Sequence, residues 1–188
     1  MLSDKRVKEA ESNVRQYLQE GMLKKQKNET AKQMYIENGN LSLETAKKLL
    51  SLESETYKPH LWVIVTSYYS MYYIANAVLL DLGYKVGDKI SHKVTGEALI
   101  VFARNKLKKG FIEEYEDLKE DALELISSKT DALLESFDFE RGKRSKFQYE
   151  TDERVKKEKA LTSLSRAKTF VFEMKKLLQY CHFHLRRF

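Results

Sequence analysis

The sequence predicts an all-α fold: a bundle of five to six helices, with an extra N-terminal helix and no sheet. Three observations carry that prediction. The 188 residues include only seven glycines and one proline, too few chain breakers for the many turns of a sandwich or barrel. Apolar residues recur at spacings of three and four along most of the chain, the period of an amphipathic helix. Finally, nearly every residue between Leu61 and Leu82 is apolar or tyrosine. A helix there is buried around most of its circumference, which makes it the central helix of the bundle.

The elements follow in order. Val7, Ala10, Val14, Tyr17, Leu18 and Met22 keep helical spacing, with Gly21 weakening the end. Residues 1–30 are therefore a helix that packs on the domain or forms an arm, and residues 31–188 form the bundle. Ala31, Met34 and Tyr35 start a second pattern, interrupted at Asn38-Gly39-Asn40 and resumed by Leu43, Ala46 and Leu50. One kinked helix or two short ones both fit. Thr56 or a neighbour is placed to cap the central helix, with Pro59 in its first turn, where a missing N–H costs little.

Within that helix, Ser67, Ser70, Ile74 and Ala77 form a narrow stripe where another helix can approach closely. Tyr69, Tyr72, Tyr73 and Asn76 lie on a different face, and each needs a hydrogen-bond partner if buried. Gly83 stops the helix, and a turn region follows to Lys89. Val94, Ala98, Val101 and Phe102 give the next helix, ended by residues 106–110. Phe111, Tyr115, Leu118, Ala122 and Leu125 step by four and three. The pattern loosens at Ser127-Ser128 and recovers through Leu133 and Phe137. Thr151, with Asp152 and Glu153 in the positive first turn, starts a last helix with the stripe Leu164, Ala167, Val171, Met174, Leu178 and Cys181.

Composition narrows the class further. The central segment is long enough to cross a bilayer. It nevertheless carries four tyrosines, three hydroxyl side chains and Asn76, groups that lipid would leave without partners. A buried core helix is the better reading. One cysteine, Cys181, excludes an internal disulfide and fits a reducing compartment, and the charged first residues lack a signal-peptide core. A cytoplasmic protein is expected. The net charge of +6 leans towards acidic partners, although 28 carboxylates offset much of it.

Three segments, in order, resemble the HEPN family of helical domains associated with RNA and nucleotides. Leu43-Glu-Thr-Ala-Lys-Lys-Leu-Leu is similar to its first core helix. Ser67-Tyr-Tyr-Ser-Met-Tyr-Tyr-Ile-Ala-Asn-Ala-Val-Leu-Leu is similar to its tyrosine-rich second helix, with Gly83-Tyr-Lys and Ser91-His-Lys after it. Arg144-Ser-Lys-Phe-Gln-Tyr149 is similar to its polar motif ahead of the last helix. The resemblance covers residues 40–180 and implies a HEPN-like bundle, a homodimer, and RNA or a nucleotide as ligand. Because members are often encoded beside a small nucleotidyltransferase in toxin–antitoxin or defence pairs, it also implies a protein partner of that kind.

Many members are metal-independent ribonucleases that use an arginine and, four to six residues on, a histidine. Here Arg144 matches, but Tyr149 stands in the histidine position after four intervening residues. A neutral histidine takes a proton from a ribose hydroxyl near pH 7, whereas tyrosine, with a reference pKa of about 10, does not. The substitution favours binding over catalysis, with an active ribonuclease and a non-catalytic adaptor as the alternatives.

Arg141, Lys143, Arg144 and Lys146 put four cations in six residues, with Phe147 and Tyr149 beside them. Such a segment suits phosphate contact and base stacking, although charge runs are more often simply solvated. His92 has a bracing role at a helix start as its simplest use. Cys181, His182 and His184 do not complete a metal site, because helix positions two apart diverge. No metal or cofactor is expected. Glu113, Glu114, Glu116, Asp117, Glu120 and Asp121 read as a solvated face.

Overall fold

A computed structural model describes residues 3–106, 112–123 and 153–184; the side chains of the last helix are described from 156 to 178. The described residues form six α-helices: α1 (Asp4–Gln19), α2 (Glu29–Ser51), α3 (His60–Asp81), α4 (Ser91–Phe102), α5 (described over 112–123) and α6 (Glu153–His184). The all-α class is as the sequence predicts.

Two caps are read directly from the chain. Ser3 Oγ accepts from the Arg6 N–H at 3.2 Å to open α1, and Asn28 Oδ1 accepts from the Ala31 N–H at 2.8 Å to open α2. The cap expected near Thr56 is corrected. Pro59 itself is the N-cap of α3, and no side chain caps that end.

α3 is the centre of the bundle, with α2 and α6 packed along it and α1 laid on α4. It is the one described helix long and apolar enough to cross a membrane, and 78% of that span is buried inside the protein. Ser67, Ser70, Ile74 and Ala77 are all buried. The close approach expected there is made by Gly39 of α2, where a Cβ would meet Ile74 Cγ1 at 2.6 Å and the Ser70 carbonyl at 3.2 Å. The Asn38-Gly39-Asn40 interruption therefore does not break the helix: α2 runs through it, and its glycine lets two backbones pack tightly. Lys32, 5% exposed, joins the same two helices by pairing with Asp81 and Glu29, each at 2.9 Å.

Two short strands correct the expectation of no sheet. β1 (Leu23–Lys25) and β2 (Tyr84–Val86) pair antiparallel, with Leu23 opposite Val86, Lys24 opposite Lys85, and Lys25 opposite Tyr84. Three residues are too few for an alternating pattern to register in sequence. Only Leu23 and Val86 point inward. Gly83, at φ +90, makes the turn from α3 into β2.

α1 carries Val7, Ala10, Val14 and Tyr17 into the shared core, so it packs on the bundle along its length. Ile112, Tyr115, Leu118 and Ala122 are the buried side of α5, and Leu164, Ala167, Val171, Met174 and Leu178 that of α6. The readings at Phe111, Leu125, Ser127, Ser128, Leu133, Phe137 and Thr151 lie outside the described residues.

Candidate functional site

The hydroxyl face of α3 comes together with the start of α4. Tyr68 and Tyr72 are one helical turn apart, as are Tyr69 and Tyr73, so the four rings form two adjacent columns. His92, in the first turn of α4, lies against them. Its ring centroid is 4.5 Å from that of Tyr72, 5.5 Å from Tyr68 and 6.0 Å from Tyr69. Tyr73 extends the series to Tyr35 of α2 at 6.1 Å, nearly parallel. On the inner side Tyr68 meets Tyr115, which stacks on Phe170. The rings grade from fully buried Tyr68, Tyr115 and Phe170 to partly exposed Tyr35, Tyr69, Tyr72, Tyr73 and His92.

The buried end is a structural anchor. Tyr68 Oη and His92 Nδ1 are hydrogen-bonded at 2.6 Å. Burial raises the Tyr68 pKa, so its hydroxyl stays protonated. Burial, helped by the nearby Lys119 ammonium, lowers that of His92, so the imidazole is neutral near pH 7. The phenol and the neutral ring each carry one proton, so either can be the donor; in both cases Tyr68 engages Nδ1, and Nε2 bonds to no described residue. Asn76 is satisfied by the Tyr72 carbonyl at 2.9 Å and Thr95 Oγ1 at 3.2 Å. The hydroxyls of Tyr35, Tyr69, Tyr72 and Tyr73 make no hydrogen bond among the described residues. Partly exposed, they meet the demand for partners from outside the fold.

His92 is presented by an unusual piece of backbone. Ile90, the residue before α4, has φ +44, a left-handed conformation costly for a β-branched side chain, and it is 54% exposed. Gly87 pins the preceding loop by donating to the Met22 carbonyl at 2.8 Å.

A basic strip runs along the β1–β2 ribbon and the loop that leads into α4. Lys24 and Lys25 of β1, Lys85 of β2 and Lys89 of the following loop make no ion pair among the described residues. Asp88 is the only acid in the 84–93 stretch, and the loop that holds it and Lys89 leads directly into Ser91 and His92 at the start of α4.

A second polar cluster ties α1 to α4 and α5. Glu97, 2% exposed, accepts from Asn13 at 3.0 Å and lies 3.5 Å from Arg6, whose other nitrogen reaches Glu116 at 2.8 Å. Burial opposes the Arg6 charge, but the Glu116 bond and the surrounding carboxylates more than restore it, and the pKa is raised. The solvated acidic face expected on α5 is corrected accordingly. Asp117 and Glu120 are exposed, but Glu116 faces Arg6, and Asp121 pairs with Lys159 at 3.0 Å.

Arg141, Lys143, Arg144, Lys146 and Tyr149, together with the side chains of Cys181, His182 and His184, lie outside the described residues. Among the described residues no group of three or more His, Cys, Asp or Glu could hold a metal. Sequence reasoning placed His92 at a helix start but missed its bond to Tyr68 and the lysine strip. The one-turn repeats Tyr68/Tyr72 and Tyr69/Tyr73 were the available signal for the shelf; nothing local announces a 24-residue separation between Tyr68 and His92. No family model, no curated protein and no solved structure matches this chain.

Proposed function

We propose that this chain is a HEPN-like protein that binds RNA or a nucleotide. The supporting observation is the partly exposed tyrosine–histidine shelf, reached through a connection from β2 whose lysines have no acidic partner among the described residues. Rings suited to stacking, together with unneutralised cations, match the two chemical features of a nucleotide, its base and its phosphate. From the family resemblance, Arg144 clamps a phosphate, Tyr149 positions a base or ribose, and Arg141, Lys143 and Lys146 add charge. The same resemblance makes the protein a cytoplasmic homodimer and the partner of a nucleotidyltransferase in a toxin–antitoxin or defence pair.

Metal-independent RNA cleavage is the second reading, favoured by His92. Its lowered pKa keeps it neutral, and in the tautomer whose Nδ1–H donates to Tyr68 the Nε2 lone pair takes up a proton.

An RNA binding and cleavage assay with purified protein, with and without chelator, separates the two. Binding without cleavage supports the first. Chelator-resistant cleavage lost in Arg144→Ala or His92→Asn supports the second. Tyr149→His restores the arginine–histidine spacing and is expected to switch on cleavage if the rest of that site is intact.

A further inference from the structure

We infer that the tyrosine–histidine shelf and the β1–β2 lysine strip together form a binding surface for single-stranded RNA, separate from the 141–149 segment. It rests on the proposed RNA or nucleotide function and adds to it a location and a mode of recognition.

The first ground is chemical. Tyr35, Tyr69, Tyr72 and Tyr73 are partly exposed, contiguous, and free of hydrogen bonds among the described residues. A purely apolar ligand would not use the hydroxyls. A flat ring with polar edges uses both the faces and the hydroxyls, and that is a nucleobase. His92 adds a polar edge: Tyr68 holds Nδ1, which fixes the ring and leaves Nε2 for a ligand. The strained Ile90 backbone sits two residues away, where it sets the start of α4 and hence the position of His92.

The second ground is electrostatic. Lys24 and Lys85 are directly opposite in the ribbon, where like charges repel and destabilise the pair. Lysine on a short exposed strand discourages edge pairing, but a single cation does that. Lys24, Lys25, Lys85 and Lys89, with Asp88 the only acid in the 84–93 stretch, instead concentrate positive charge on the ribbon and on the loop that runs from β2 to His92. A polyanion with unstacked bases is complementary to both features. An apolar protein surface would match the rings but leave the lysines unused.

The test uses full-length protein and fluorescent oligouridylate and oligoadenylate, read by anisotropy over a salt series, with AMP as a mononucleotide competitor. Tyr72→Leu is expected to weaken oligonucleotide binding about tenfold, while Tyr72→Phe retains most of it. Lys24→Ser with Lys85→Ser is expected to weaken binding and to lower the salt slope by about 0.7 for each phosphate that is no longer neutralised. The same pair should leave the melting temperature unchanged or raise it, because it removes a like-charge pair; a merely structural role predicts the reverse. Oligonucleotide binding that AMP does not displace supports an RNA strand as the ligand. Full displacement by AMP overturns the strand in favour of a mononucleotide site.

Because Tyr72→Leu could loosen the core, photo-cross-linking of 4-thiouridine RNA to the unmodified protein gives an independent reading. Adducts in the peptide holding Tyr69–Tyr73 support the surface. Adducts confined to residues 141–149, with both lysine and tyrosine variants silent, overturn it and leave the proposed function standing. Failure of every probe to bind overturns both.

Discussion

His92 links chemistry and stability at the scale of one residue. Its folded-state pKa lies below the ordinary 6.5, mainly because burial disfavours the imidazolium and secondarily because Lys119 is near. The folded state therefore binds this proton less readily than the unfolded chain. The resulting stability is complete above about pH 6.5 and is lost as pH falls through the lowered folded value. Melting temperature followed from about pH 8 to about pH 5 should drop less steeply in His92→Asn than in the unmodified protein. Asparagine is the informative replacement, because its amide can sit where Nδ1 meets Tyr68 but does not titrate. Parallel curves would show that His92 does not carry this dependence. Gly39 supplies a second residue-level test. Alanine is the better helix former by about 1 kcal/mol, but here its methyl would fall 2.6 Å from Ile74 Cγ1. Gly39→Ala is expected to destabilise the protein by about 1–3 kcal/mol in denaturant melts, the usual cost of overpacking. The loss should shrink when Ile74→Ala opens the space.

Elements differ in how clearly the sequence announced them. α3 and the buried stripe of α6 were legible because long apolar periods survive any uncertainty at their ends. The continuity of α2 was not, because a glycine between asparagines has the same local signature whether it breaks a helix or admits a neighbour. Only the presence of Ile74 and Ser70 opposite it decides. The β1–β2 ribbon escaped for another reason: its strands contribute one inward residue each, and their pairing spans the α2–α3 hairpin. The shelf was half legible. Tyrosine columns on α3 follow from helical period, whereas the arrival of His92 depends on the path of the 83–90 connection. α1 gives the test at this scale. Arg6, Asn13 and Glu97 hold it to α4, with Glu97 almost fully buried. Glu97→Ala leaves the Arg6 and Asn13 donors facing a gap, and a loss of about 3 kcal/mol is expected. Arg6→Ala and the double substitution close a cycle in equilibrium unfolding. A coupling of about 1 kcal/mol or more is expected, and additivity would mean the pair does not act together.

At the scale of the whole molecule, a helical bundle anchored by α3 carries one aromatic shelf and, on the β1–β2 ribbon and the connection into α4, one basic strip. If the protein is the homodimer that the family resemblance implies, sedimentation at tens of micromolar will show it, with an interface of at least about 1,000 Å² in total. A monomer at that concentration would remove self-association from the proposal while leaving the nucleotide surface intact. The central claim is that this fold binds RNA or nucleotides. An anisotropy titration of labelled single-stranded RNA with the unmodified protein and Arg144→Ala, at low and high salt, tests it most directly. Saturable binding is predicted, weakened in Arg144→Ala with no change in melting temperature, and with the difference shrinking as salt rises. The absence of saturable binding to RNA or nucleotide at every salt concentration would contradict it.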